Sequence, residues 1–394
     1  MFLLTGFLLD YFFSISVKTT NLLVYRIKLF WVFITLVFIG CGFPIPESPP
    51  DLFEKSEAIP VDQSPVFLLT SDLNRDRLPD IVSINSKGNS LTILYGHDAY
   101  RKPVTLITEP EPSMAAVGDL NGDGIPDLVV NSKRKNALTL FLGAGNASFK
   151  RPLIHKTGPV PLAIILDDYN GDGHLDVAVT LTFHKLEIHL GKGNGRFQKV
   201  SSYSTGSTAF SGASQDFDGD GNRDIALAVS SSNASAIRIF SGNGDGFFRQ
   251  TDRFGIGLMP LALIKRDMNS NRHDDLIAAT GKGDNLYLFY ADGEGRFGPA
   301  KTFAAGGGPI ALTTGHFNQD DQIDVAVANS RSSSFSVVFR KANGDFRFPP
   351  RDYVVEGGVP LAITSGDYNQ DGKEDIAVAG NFSNKVEIYL QKTK

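Results

Sequence analysis

Residues 118–130 read GDLNGDGIPDLVV. Asp119, Asn121 and Asp123 stand at alternate positions, Gly124 follows, and Asp127 closes the run ahead of an apolar tail. Oxygen ligands at alternate positions suit a hard cation such as Ca²⁺, and a glycine after the third lets the chain turn sharply. The opening DLNGDG matches the start of an EF-hand loop. The remainder does not. Val130 stands where an EF-hand needs its last Glu, and IPDLVV is short and β-branched, a strand rather than a helix. The stretch therefore reads as strand, loop, strand, with ligands at loop positions 1, 3, 5 and 9 and a backbone carbonyl at 7. One copy alone would fit an ion-free acidic turn equally well, because Asp, Asn and Gly are the ordinary turn residues.

The pattern recurs. Copies begin at Asp72, Asp119, Asp168, Asp216, Asp267, His316 and Asp367, at spacings of 47, 49, 48, 51, 49 and 51 residues. Seven copies of a unit of roughly 50 residues, built of strands and tight turns, predict an all-β, seven-bladed β-propeller with four-stranded blades. An aromatic lies 19 residues before six of the copies (Phe53, Tyr100, Phe149, Phe197, Phe248, Phe297), and Phe346 lies 21 before the last. Each is expected to open an outer strand. The chain stops at Lys394, before the last repeat reaches its own aromatic, so the strand from about Phe53 should complete the final blade and close the ring.

Within a repeat, PLAIILDDY is the inner strand, LDVAVTLT the second, KLEIHLG the third, and the stretch from Phe197 the outer one. Up-and-down pairing puts the acidic loops and the Gly-rich turns on one rim. The other rim carries the loops between second and third strands, such as NSKRKNA and NSRSSSF, and the segments leading into the inner strands, such as GIGLMP and EGGVP. These vary most among the copies, so a partner site is expected there, on a rigid scaffold.

The repeats resemble the FG-GAP or VCBS family, the integrin-alpha-like propeller repeats of secreted bacterial proteins, from about Phe53 to Lys394. The resemblance implies a propeller, Ca²⁺ in the loops, and often adhesion or carbohydrate contact. Candidate ligands are Asp72, Asn74, Asp76 and Asp80; Asp119, Asn121, Asp123 and Asp127; Asp168, Asn170, Asp172 and Asp176; Asp216, Asp218, Asp220 and Asp224; Asp267, Asn269, Asn271 and Asp275; and Asp367, Asn369, Asp371 and Asp375. Copies two, three, four and seven hold the full pattern. Arg77 replaces the turn glycine of the first copy, at a left-handed position costly for a residue with a Cβ. Asn271 lowers the ligand charge of the fifth. His316 opens the sixth, and imidazole suits a hard cation poorly, so that loop is expected to be ion-free or held by hydrogen bonds. Several Ca²⁺ ions are thus expected as structural staples rather than catalysts.

The net charge of −5 and the absence of a Lys/Arg stripe argue against a nucleic-acid partner. The isolated KRK at 133–135 reads as a solvated loop tip. Residues 1–40 read as a signal peptide: Arg26 and Lys28 precede an apolar run, Leu29 to Ile39, too short to span a membrane. The run ends in FIGC, which resembles the lipobox of bacterial lipoproteins, with Cys41, the only cysteine, as the lipidated residue. Residues 1–20 fit no signal pattern, and translation is expected to start nearer Leu22. Residues 41–52 would then be the lipidated Cys and a Pro-rich tether, and 53–394 the propeller. Gly42 after the Cys favours, by family analogy, the outer membrane.

No catalytic set can be assembled from spacing. The turns GAGNASF and GKGNGRF lead into strands, which excludes a phosphate loop at a helix. His184 and His189 fall on one predicted strand with opposite facings, and His174 and His273 occupy the loop position that ligates through its carbonyl. The chain reads as an envelope-anchored, calcium-binding propeller, not an enzyme, that binds protein or polysaccharide at the cell surface. The alternatives are a lyase-like polysaccharide-degrading enzyme using His184 with Lys133 or Arg134, and a structural envelope spacer.

Overall fold

In the computed structural model, residues 51–232 and 235–392 are described. They form seven antiparallel four-stranded sheets. Blade 3 shows the pattern: inner strand Pro161–Asp167, second Asp176–Leu181, third Lys185–Gly191 and outer Phe197–Ser204, paired in chain order. Blades 1, 2, 4, 5 and 6 begin with the inner strands Pro65–Ser71, Ala115–Gly118, Thr208–Gln215, Pro260–Arg266 and Pro309–Gly315.

The second strands are the driest part of the described residues. Asp127–Ser132, Asp176–Leu181 and Asp324–Asn329 are buried at every residue. A neighbouring blade covers each face, so these strands read as unbroken apolar runs (DLVV, DVAV) instead of alternating ones. The core is accordingly shared between blades. Ile188 of blade 3 packs with Ile225 and Phe240 of blade 4, and Leu138 of blade 2 with Val177 and Val179 of blade 3.

Ring closure follows the sequence expectation. The strand Phe53–Pro60 pairs with Lys385–Gln391 as the outer strand of blade 7, with Phe53 opposite Gln391 and Pro60 opposite Lys385. Phe53 is buried edge-on against Phe317, Phe335 and Tyr353, with centroids at 6.0, 6.5 and 5.6 Å. Asp51 holds both Arg351 and Lys392 across the join.

One expectation needs correction. Phe53, Phe197 and Phe248 open their outer strands, but Tyr100, Phe149, Phe297 and Phe346 do not. In those blades the strands are Val104–Ile107, Leu153–Lys156, Lys301–Ala304 and Arg351–Val354. Pro103, Pro152, Pro299 and Pro350 stand directly before or one residue before these strands, and the three early-starting strands have no proline behind their aromatic until Pro60. A proline cannot donate to the ladder, so pairing resumes only beyond it. His184 is also displaced. It precedes the third strand of blade 3 in a left-handed conformation (φ 56°), on the loop rim, whereas His189 lies inside the strand. Cys41, the signal segment and the tether up to Pro50 lie outside the described residues.

Candidate metal centre

The acidic loops and the Gly-rich turns share a rim, and backbone hydrogen bonds join the loops of blades 2, 3 and 4 to the turn of the following blade. Gly195 N–H donates to Leu120 O, Gly246 N–H to Tyr169 O and Gly295 N–H to Phe217 O, each at 3.0 Å. His174 and His273, at the seventh loop position, lie over the left-handed Gly193 and Gly293. A Cβ there would meet the imidazoles at 2.4 and 2.2 Å. These side chains cover a turn, a role their sequence position did not disclose.

Each ligand-type side chain organises backbone. In the second loop, Asp119 accepts the Gly122 N–H on Oδ1 at 2.8 Å and the Gly124 N–H on Oδ2 at 2.7 Å. Asn121 Oδ1 accepts the Asp123 N–H, and Asp123 Oδ1 the Ile125 N–H, both at 2.9 Å. Asp127 turns inward instead. Its Oδ2 accepts the Leu120 N–H at 2.8 Å and its Oδ1 the Gly143 N–H at 2.6 Å, tying the loop to the start of the following turn. Asp80, Asp176, Asp224, Asp275 and Asp375 repeat this bridge, and all are fully buried.

Burial is the main influence on these closing carboxyls. Against the opposing backbone N–H bonds, and with the neighbouring loop carboxylates adding to it, burial pushes Asp80, Asp176, Asp224, Asp275 and Asp375 up to about 6. Asp127 is also raised. A cation set among the loop carboxylates would relieve that repulsion. The fourth loop has the geometry for one: ligand atoms of Asp216, Asp218 and Asp224 all lie within 4.8 Å of one another. Three carboxylates with all-oxygen donors fit a hard divalent ion.

The other loops differ in detail. Lys150 reaches Asp123 at 3.3 Å and Lys373 reaches Asp371 at 2.7 Å, so cationic donors already touch two loops, while in the first loop the Asn74 amide donates to His97 Nδ1 at 3.1 Å. Arg77 does adopt the left-handed conformation (φ 71°), and Arg272 does the same in the fifth loop (φ 72°). Asn271 spends its amide on the Ala291 carbonyl at 2.9 Å. In the sixth loop His316 cannot act as an acidic cap. Its N–H donates to Glu374 of the seventh loop at 2.9 Å, and Asn318 and Asp320 keep the remaining turn bonds.

Two features escaped the sequence reading. Phe183 and Phe382 stand at the tips of equivalent loops on the opposite rim, 69 % and 75 % exposed. His155 and His189, far apart in sequence, meet at 2.9 Å between blades 2 and 3. Aligning the repeats strand by strand would have flagged His189, which occupies a position filled elsewhere by Phe, Tyr, Leu or Val.

The FG-GAP-like repeat family matches residues 72–130, 119–179, 168–227, 267–327 and 316–378. Each match runs from one acidic loop through the next, all seven loops fall within them, and they cover more than half of the chain. The fold and its loops define a seven-bladed repeat propeller. The chain belongs to the FG-GAP-like repeat family. Among solved structures it is similar to BBS1N in the crystal structure of its complex with ARL6DN soaked with lead, with TM-score 0.62 and 12% identity over 88% of this chain and 99% of that one. The mercury-soaked crystal of the same complex gives TM-score 0.62 and 13% identity over 87% and 98%. At these identities the likeness is one of fold. No curated protein matches the chain.

Proposed function

We propose that this propeller is a calcium-stapled binding module of the cell envelope that engages a protein through the rim opposite its acidic loops. The observation that carries the reading is the exposed apolar set on that rim: Phe183 and Phe382 at loop tips, and Leu258 and Met259 leading into an inner strand. Bulky rings standing in water on short, well-anchored loops are a contact surface in waiting. Lys133, Arg134 and Lys135 border the same rim, whereas the opposite rim, which also exposes Phe348 and Phe247, is crowded with carboxylates. BBS1N, a propeller of similar fold, is in complex with the protein ARL6DN, which accords with a protein as partner. A polysaccharide is the other partner class the repeat family suggests.

Ca²⁺ would be held by the first, third and closing carboxylates, with Asp216, Asp218 and Asp224 the best-gathered set. The bound ion supplies charge neutralisation to the loop; the chain's own backbone bonds set the loop's shape. Lipidation of Cys41 would tether the disc to a membrane through residues 41–52, and intact-mass analysis of the membrane-extracted protein tests this directly.

The partner surface is tested by placing a photo-crosslinking amino acid at Phe183, at Phe382 and, on the acidic-loop rim, at Phe247, in cells supplied with Ca²⁺. Specific crosslinks to one protein from the first two positions and none from the third are expected. Crosslinks from the Phe247 position alone would move the site to the other rim. Crosslinks from none, with glycan captured by the purified protein, would favour the polysaccharide.

A further inference from the structure

The seven blade interfaces are built to one plan, and one of them breaks it. Each outer strand turns one side chain toward a side chain on the third strand of the next blade. Leu106 meets Phe141, Tyr203 meets Phe240 and Phe254 meets Phe289. At the equivalent positions Phe303 shares a core cluster with Val338, Tyr353 with Tyr389 and Ile59 with Leu94. Strand register identifies the seventh pair as His155, opposite Leu138 in its own sheet, and His189, opposite Val177 in its sheet. Two imidazoles thus replace two apolar or phenolic side chains in an otherwise dry seam. They meet edge to face at 4.9 Å between centroids, and Phe197 packs on His155 at 5.6 Å.

The surrounding groups fix the direction of the hydrogen bond. Glu187 is buried and bonded to Lys199 from the outer strand of blade 3, to the Gly158 N–H at 2.9 Å and to His189 Nε2 at 3.2 Å. Burial opposes its ionisation, but bonds from His189, Lys199 and Gly158 outweigh that and hold it down to about 2. An ionised Glu187 accepts a hydrogen bond from His189 Nε2–H, so in the neutral ring His189 Nδ1 is the acceptor and His155 Nε2–H the donor. Blade 2 surrounds His155 with the apolar Leu138, Leu140, Leu153 and Ile154, and Arg196 is the charged residue lining the cleft of about 290 Å³ onto which His155 opens. Among the described residues lining this cleft there is no carboxylate to balance a charge on His155.

We propose that this contact is an acid-sensitive seam: protonation of His155 through the cleft loosens the outer part of the interface between blades 2 and 3, while the other six interfaces stay closed. A charge at that place sits among leucines and Phe197, beside a second imidazole and an arginine. Burial first, and His189 second, push His155 down to about 4, with Glu187 opposing. The sign follows. A histidine depressed from 6.5 stabilises the fold above 6.5, and that contribution is lost as pH falls toward 4. Blade 7 supplies a non-titrating version of the same design. There Glu387 accepts the Gly357 N–H at 2.6 Å and the Tyr389 hydroxyl at 2.8 Å, with Lys55 alongside.

The test copies that seam. The full chain and its double variant His155→Tyr with His189→Tyr are melted in Ca²⁺ between pH 7.5 and 4.5. The wild type should lose on the order of 3–5 °C more than the variant across that range. Parallel profiles would overturn the proposal. If the variant does not fold, ring-carbon NMR of the wild type decides. His155 should remain neutral at pH 5.5, and amide exchange should quicken below that in Leu153–Lys156 and not in Arg351–Val354. A His155 that titrates near 6.5 with no change in exchange refutes the seam.

Discussion

The closing aspartates show how much one side chain can carry here. Asp176 satisfies two buried N–H groups, of Tyr169 and Gly191, at 2.8 and 2.7 Å. Asp176→Ala would leave both without partners, at about 1–3 kcal/mol each, and urea unfolding should report a loss of roughly 2–5 kcal/mol. Asp172→Ala, at an exposed turn position, should cost under about 1 kcal/mol without Ca²⁺ and more with it. The closing carboxyls also give the chelated protein a definite pH response. Burial raises five of them to about 6 and Asp324 of the sixth loop to about 8, from 3.8, so their contribution is present at low pH and is lost as pH rises through 6 and, for Asp324, through 8. In EDTA the melting temperature should therefore climb from pH 8 to pH 5. These six groups outnumber the opposing His155, and added Ca²⁺ should flatten the climb by keeping the carboxylates ionised. A flat profile in EDTA would show that these carboxyls stay ionised in the fold. At this scale the sequence disclosed the residue types and their spacing, but not the inward turn of the closing Asp. Its second partner, Gly191, lies 15 residues away on another strand.

At the scale of elements, the strand Phe53–Pro60 is the one whose pairing is least local, reaching the far end of the chain. Phe53 is its anchor, buried in the cluster with Phe335, Tyr353 and Tyr389. Phe53→Ala should cost about 3–5 kcal/mol, read by thermal or urea unfolding. Lys392→Ala removes only a part-exposed ion pair with Asp51 and should stay within about 1 kcal/mol. If both cost the same, closure would rest on the backbone ladder and not on the aromatic anchor. This closure was legible beforehand because the aromatic marker recurs at a fixed offset and the last repeat ends before reaching its own. The outer-strand starts were legible only in part. The marker locates the turn, while proline decides where the ladder resumes, and the two coincide only in FEKSEAIP, FQKVSSYS and FRQTDRFG. The seam histidines were hidden for a related reason: their meeting depends on register between blades, which no spacing within one repeat encodes.

At the largest scale, the described residues form a ring in which no blade owns its core. Each apolar cluster joins facing strands of two neighbours, as Leu286 and Leu288 of blade 5 do with Val325 and Val327 of blade 6. A blade that opened alone would strip two interfaces at once, so unfolding should be a single transition, unlike the open repeat arrays whose ends fray. The acidic loops of blades 2, 3 and 4 sit on the same network, since the Gly-rich turn of the following blade bonds each of them. A cation bound in one of these loops therefore braces the neighbouring blade as well as its own. Held tenfold above its Kd, an ion contributes about 1.4 kcal/mol per site, and several sites should raise one melting transition by on the order of 10 °C. The check is differential scanning calorimetry in EDTA and in millimolar Ca²⁺, with ions counted by native mass spectrometry. One sharp peak, moved upward as a unit and with the fourth loop among those filled, is expected. The Asp216→Asn, Asp218→Asn double variant should keep a single peak while losing at least one ion and part of the upward shift. Two separable peaks would mean that the blades unfold in groups, and an unchanged ion count would mean that the fourth loop is held by its hydrogen bonds alone.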